Sequence, residues 1–331
     1  MTLKSMKSSA AIARAISDTF LNNPIVQIKG PCVSEKFVIN LLEEAIERGQ
    51  GDLLNQVSVS RLEKGINGPM RHLYLITQGI INRKLNAVHA ANRPIMQSDF
   101  EPFTKTISRI LLAQLNRCGY AQSIGLVQEL LINKLSDIAA CISIESNTSK
   151  GIINTQESLK YIEVKNALAN PILWLVAEQY LKCRPILNDI QIWRTVPFNE
   201  KYHNLSSDAL MWHFDHDYNR FLKVFILLND VTTLNGPHMC LPNTSFTRLP
   251  TFVNHDGRYT DRMIDNSGLK QWVHTGKKGT VIFGDTLNLH KGLPCINGER
   301  LMMQIQFVDS CSFSHNPHYE DCYEYQISIK R

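Results

Sequence analysis

The segment Trp212-His213-Phe214-Asp215 sets an imidazole and a carboxylate two residues apart. In an extended strand, residues i and i+2 point to the same face, so His213 and Asp215 project together while Phe214 turns away. That supplies two legs of a metal tripod. Two histidines and one carboxylate around open positions form the ligand set of non-haem Fe(II) oxygenases. The third leg must come from further on, and His238, His255, His274 and His290 are the candidates. His290 stands out. It follows the run Gly279 to Asp285, which reads as a strand ending in a tight turn, and another strand-like run begins near Arg300. His238 follows the Gly236-Pro237 turn, His255 lies in a polar stretch, and His274 precedes Gly276-Lys277-Lys278-Gly279. These three are expected at the solvated surface, where histidine is often found.

Arg300 is the fourth piece, ten residues after His290 and across an Asn297-Gly298 turn. A hairpin of that size is expected to bring it back beside the metal strand. Its planar guanidinium can grip a carboxylate through two hydrogen bonds, while the 2-oxo acid end of the same molecule meets the metal.

These residues need elements to hold them, and the texture of the chain changes near Cys183. Before it the patterns are helical. Val38, Leu41, Leu42, Ala45 and Ile46 recur at helical spacing behind a Ser34 cap, with Glu35 in the first turn. Phe103 to Leu115 and Ala121 to Ile142 read as helices, Glu145 to Gly151 as a loop, and Ile172 to Leu181 as a helix opened by Pro171. Beyond Arg184-Pro185 the pattern becomes strand-like: Ile186 to Thr195, Phe221 to Leu228, Met239 to Leu241, Gly279 to Phe283 and Leu301 to Val308. Turn chemistry separates them, and helices do not, which argues an antiparallel sandwich or jelly roll. The expected division is a helical N-terminal region over 1–170 packing on a β core over 171–331. The polar loop Pro250 to Leu269, with Gly257 and Gly268 as hinges, is expected to be a mobile lid.

Composition narrows the class. The chain has 331 residues, 44% hydrophobic and 20% charged, which excludes disordered and fibrous classes. The net charge of +5 is mild, and no basic run reads as a nucleic-acid surface. No apolar run is long enough for a transmembrane helix. The N-terminal segment Met1 to Phe20 reads as a frayed amphipathic helix in preference to a transit signal. The eight cysteines form no Cys-x-x-Cys pair and are expected to be free thiols in a reducing, cytoplasmic setting. Oligomeric state has no signature here.

The pattern His213-x-Asp215, His290, Arg300 resembles the Fe(II)/2-oxoglutarate-dependent oxygenases, and more narrowly the phytanoyl-CoA dioxygenase family. The specific echoes are Trp212-His213-Phe214-Asp215, the strand Phe221 to Asp230, and the Asn235-Gly236-Pro237 turn with Leu241-Pro242-Asn243-Thr244-Ser245. Gly284-Asp285 ahead of His290 is another. The match runs from about 171 to 310, and the N-terminal part carries no echo.

The resemblance implies an α+β, mainly β protein: a double-stranded β-helix, a jelly-roll variant, with iron at one mouth. It implies His213, Asp215 and His290 as Fe(II) ligands and Arg300 as the 2-oxoglutarate residue. 2-Oxoglutarate and dioxygen would be consumed, succinate and CO2 released, and a C–H bond of a small-molecule substrate hydroxylated. Retention of Asp215 favours oxygenation over the halogenation seen in relatives with a small residue there. One departure is Gly292, where many members carry a serine or threonine. The carboxylate contact made there must come from elsewhere.

Other chemistries fit less well. A jelly-roll protein that keeps the metal without turnover would bind iron yet release no succinate, and a zinc hydrolase on the same ligands gives Arg300 no role. His255-Asp256 lacks the helical surroundings of a phosphohydrolase, and Gly276 to Thr280 lacks the spacer of a P-loop and reads as a hairpin turn. Trp193 on the first barrel strand and Phe225 on the next are candidate substrate contacts that core packing would equally explain. Asn288 shares the face of His290 and is either a hydrogen-bond partner of the site or a substrate contact.

Overall fold

The computed structural model describes residues 102–145, 148–197, 209–215, 221–244 and 258–308. The expected helix over 34–46, the segment 1–20, His255 and the first part of the 250–269 loop lie outside the described residues. In chain order the helices are α1 (Pro102–Cys118), α2 (Glu129–Ala140), α3 (Thr155–Ser158), α4 (Ile162–Leu168), α5 (Pro171–Leu181) and α6 (Asp261–Ser267). The strands are β1 (Tyr120–Ile124), β2 (Lys150–Ile153), β3 (Ile186–Thr195), β4 (Phe221–Leu227), β5 (His238–Cys240), β6 (Trp272–His274), β7 (Thr280–Gly284), β8 (His290–Gly292) and β9 (Arg300–Val308).

Six strands form one antiparallel sheet in the order β1-β7-β4-β9-β3-β2, and three form a second in the order β6-β5-β8. His213 adds a bridge to His290 on the free side of β8. With the His213 bridge counted between β3 and β4, the chain from β3 to β9 changes sheet at every step except β5 to β6, which is the winding of a jelly roll. β1 and β2 extend the larger sheet at its two edges, and both precede Pro171, so that sheet draws on both segments of the chain.

The strand β9 shows how the sequence sorts its faces. Every residue from Arg300 to Val308 is buried, because both sides of the larger sheet are covered. Leu301, Met303, Ile305 and Phe307 join the apolar core under the helices, where Trp174 meets Phe307 edge-on at 4.8 Å. Arg300, Met302, Gln304 and Gln306 point the other way, as the period of two requires. They meet Trp193 and Gln191 of β3 and Lys223 and Phe225 of β4 in register. α5 is held by Asn170, whose side chain caps Ile172 N at 2.9 Å, with Pro171 in the first turn.

Two expectations of local structure are corrected. Ala121 to Ile142 is not one helix. Gly119 and Gly125 take positive φ (82° and 78°), and the residues between them pair with β7 as β1; the helix α2 begins only at Glu129. The apolar spacing through Ile124 and Val127 mimicked a helix, and the partner strand that overrides it lies far along the chain. The 258–269 part of the supposed lid holds α6, capped by the Thr260 hydroxyl accepting from Met263 N and closed by Gly268 at φ 69°. Gly268 is thus a helix C-cap. Tyr259 and Ile264 pack with Trp212 and Phe214, which ties α6 to the body. The five cysteines among the described residues are all free.

Candidate metal and carboxylate site

His213 and His290 form a mutual backbone pair, His213 N to His290 O at 3.0 Å and His290 N to His213 O at 2.9 Å. Residues directly opposite in such a pair share a face, and the two rings lie 4.3 Å apart. Asp215 N reaches Thr286 O at 3.0 Å, which brings its side chain to the same face. The ligand atoms of His213, Asp215 and His290 all lie within 4.8 Å of one another. His213 Nε2 stands 3.7 Å from Asp215 Oδ1, and His290 Nε2 stands 3.3 Å from Asp215 Oδ2. Trp212 and Phe214, as the alternation demands, face a separate apolar cluster.

The imidazoles are oriented by backbone. His213 Nδ1 sits 2.8 Å from Met211 O and His290 Nδ1 sits 2.9 Å from Asn288 O. A carbonyl only accepts, so each Nδ1 carries a hydrogen, and each Nε2 faces Asp215. Burial, with the neighbouring His290, lowers the His213 pKa to about 3, so it is a neutral donor. Burial alone would raise the Asp215 pKa; Lys223 and the two imidazoles hold it well below the usual carboxylate range. Lys223 Nζ donates to Asp215 Oδ2 at 2.7 Å. Two imidazole nitrogens and one ionised carboxylate converging in this way fit a divalent cation of the Fe(II) type.

The cluster sits on a cavity of about 140 Å³ between the two sheets. Arg300 lines it, along with Phe225, Trp193, Lys223, Met302 and His238. One Arg300 terminal nitrogen donates to the Gly236 carbonyl, and its Nε is buried without a hydrogen-bond partner. Burial lowers its pKa to about 10, which leaves it charged at neutral pH. A buried cation with an unmet donor suits a carboxylate. Gly236 is required here, with φ 80° and its Cα within reach of Leu293 O: a Cβ would lie 2.9 Å from that oxygen.

Each residue singled out in the sequence can now be placed. His213, Asp215, His290 and Arg300 meet at one cavity. Arg300 arrives by a different route from the expected hairpin: β8 pairs with β5 in the small sheet and β9 with β3 and β4 in the large one. The turn at Gly298 crosses between sheets, so Arg300 faces His213, Asp215 and His290 from the opposite wall. The Gly276 turn crosses in the same way, bridging Val231, and is no hairpin. Phe225 and Trp193 line the cavity; Trp193 is half-buried, bonds Gln191 through Nε1 at 2.7 Å, and carries Lys150 Nζ 3.6 Å over its ring. Asn288 does not line it. Its Oδ1 accepts from Thr244 N at 2.8 Å and its Nδ2 donates to Asp285 O at 2.9 Å, so the side chain clamps the loop while the Asn288 carbonyl is the partner of His290 Nδ1.

The surface placement of His238 and His274 is also corrected. His274 is 6% exposed, with Nδ1 3.3 Å from Gln122 Oε1 and Nε2 3.2 Å from Cys240 Sγ. His238 is half-buried against the cavity. Lys223 was missed as a site residue, and His238, weighed as a metal ligand, was assigned to the surface. Lys223 was visible as the lone cation in the apolar run Phe221 to Leu228, whereas His238 has only long-range partners.

No family model matches the chain, and no curated protein matches it. Among solved structures the chain is similar to the non-haem alpha-ketoglutarate-dependent epimerase SnoN from nogalamycin biosynthesis. The identity is 15% over 62% of this chain and 84% of that one, at a TM-score of 0.47. HygX from Streptomyces hygroscopicus, with nickel, 2-oxoglutarate and hygromycin B bound, is 10% identical over 60% and 86%, at 0.44. EctD from S. alaskensis, with bound Fe, is 17% identical over 65% and 80%, also at 0.44. Likenesses this distant carry no activity across, and the reading below rests on the site's own geometry.

Proposed function

We propose that the chain is a non-haem Fe(II)/2-oxoglutarate-dependent oxygenase, related to the phytanoyl-CoA dioxygenase family, that hydroxylates a C–H bond of a small molecule. The observation that carries this is the convergence of His213, Asp215 and His290 at the cavity that Arg300 lines with a buried, unmet Nε donor. A zinc hydrolase would leave that guanidinium without work. Among the described residues, no helix is long and apolar enough to cross a membrane, and the cavity suits a small-molecule substrate. A cytoplasmic location belongs to the same proposal.

His213 and His290 offer Nε2 lone pairs fixed by their backbone-bonded Nδ1 atoms. Asp215 offers one carboxylate oxygen toward each imidazole, and Lys223 keeps it ionised and oriented. Arg300 receives the far carboxylate of 2-oxoglutarate from the opposite sheet. Fe(II) held by His213, Asp215 and His290 would supply, with 2-oxoglutarate and dioxygen, the oxidising power for hydroxylation, with succinate and CO2 as the co-products. Trp193, Phe225 and Met302 wall the cavity and exclude water from the reacting C–H bond. The test is succinate formation from 2-oxoglutarate with Fe(II) and air, with and without a metabolite panel. Iron-dependent succinate release supports the reading; zinc-dependent hydrolysis without 2-oxoglutarate consumption removes it.

A further inference from the structure

His238 opens into the cavity beside the metal cluster, and neither the ligand set nor Arg300 accounts for it. It begins β5, and its ring lies 5.3 Å from that of His290 and 5.2 Å from that of Phe225. It lines the same cavity as Arg300, whose guanidinium is bonded to the carbonyl of Gly236, two residues before it. The residue in register with it on β8 is Gly292. In-register residues share a face, so no side chain from β8 stands between the imidazole and the cavity.

The protonated nitrogen follows from its neighbour. His238 Nε2 lies 3.3 Å from the Tyr120 hydroxyl, and Tyr120 is 1% exposed. That nitrogen is the hydroxyl's one hydrogen-bond partner among the described residues. If His238 donated, the buried phenolic hydrogen would lack an acceptor, which costs about 1–3 kcal/mol. Tyr120 therefore donates, Nε2 accepts, and Nδ1 carries the hydrogen. Among the described residues Nδ1 has no protein partner, and the side chain that carries it lines the cavity.

We propose that His238 is a binding residue whose Nδ1–H, set by Tyr120, donates a hydrogen bond to a carboxylate oxygen of bound 2-oxoglutarate. The inference rests on the function proposed above. It gives the cavity a second, uncharged carboxylate donor on the sheet opposite Arg300, at the position that Gly292 leaves open.

The test is calorimetric binding of 2-oxoglutarate to the Ni(II)-loaded protein, which needs no turnover. His238→Phe keeps an aromatic ring and removes the donor; His238→Ala removes both. Both are expected to weaken 2-oxoglutarate binding by about ten- to a hundred-fold, the range for a hydrogen bond to a charged group, with Ni(II) affinity unchanged. Tyr120→Phe, which frees the tautomer, is expected to weaken it by a smaller factor. Wild-type affinity in His238→Phe, while the wild-type protein binds normally, overturns this inference and leaves the oxygenase reading standing. A Ni(II)-loaded wild-type protein that binds no 2-oxoglutarate overturns both.

Discussion

Lys223→Met separates the two states of the metal site. Lys223 Nζ lies 2.7 Å from Asp215 Oδ2, and the two side chains are 11% and 17% exposed. Removing one partner of a buried ion pair leaves an uncompensated charge, at a cost of about 3–5 kcal/mol. Both groups keep some solvent contact, which places this pair at about 3 kcal/mol. For a folded unit of roughly 150–250 residues that corresponds to a fall of about 6–12 °C in Tm. The methionine stem fills most of the lysine's volume, so packing is nearly kept. A bound dication takes over the neutralisation of Asp215, and the variant should regain most of that loss when metal is present. The assay is thermal unfolding with EDTA and with saturating Ni(II), for wild type and variant. The expected result is a large deficit in EDTA and a small one in Ni(II). An equal deficit under both conditions, or none in EDTA, would refute the reasoning, because Lys223 would then be packing or surface charge.

Arg300→Lys keeps the charge and loses the planar fork, so the apparent affinity for 2-oxoglutarate should fall about ten- to a hundred-fold, or about 1.4–2.7 kcal/mol, with iron affinity held. Equilibrium binding of the co-substrate checks it. Asn288→Ala should lower stability by about 1–3 kcal/mol through the unmet Thr244 N, with 2-oxoglutarate affinity unchanged, as urea unfolding and calorimetry would show. His274 is lowered from 6.5 to about 4 by burial, so the unfolded chain takes up a proton on it before the folded one does. Its contribution is present above about pH 6.5 and is lost as pH falls toward about 4. The stability gap between wild type and His274→Asn should shrink by about 2 kcal/mol from pH 7 to pH 5, measured by chemical denaturation. A gap independent of pH would mean that folding leaves the His274 pKa where it stands in the unfolded chain, and would refute the burial argument.

What the chain disclosed early is what is local. His213 and Asp215 sit two residues apart, so their shared face follows from backbone geometry. The strands β3, β4, β7 and β9 were legible because each is a short apolar run bounded by turn residues. β1 was not, since Tyr120 to Ile124 becomes a strand only against β7, about 160 residues later. His238 and His274 looked like surface histidines because their neighbours in sequence are a turn and a lysine pair. Their real neighbours, Tyr120 and Gln122 of β1 and His290 of β8, come from two other strands. At Asn288 the spacing relates the residue to His290, whose Nδ1 its carbonyl holds, but not the turn after β7, which uses its amide to close the backbone at Thr244 and Asp285.

The most direct measurement is an anaerobic titration of the Fe(II)-loaded protein with 2-oxoglutarate, followed by the visible charge-transfer absorption that arises only when a 2-oxo acid chelates the iron. The account predicts a saturable band with one iron per chain in the wild-type protein. It also predicts no band in His213→Ala, Asp215→Ala or His290→Ala, since a three-ligand site has no spare donor. An unchanged band in any of those three variants, or none in the wild-type protein at saturating iron and co-substrate, would contradict it.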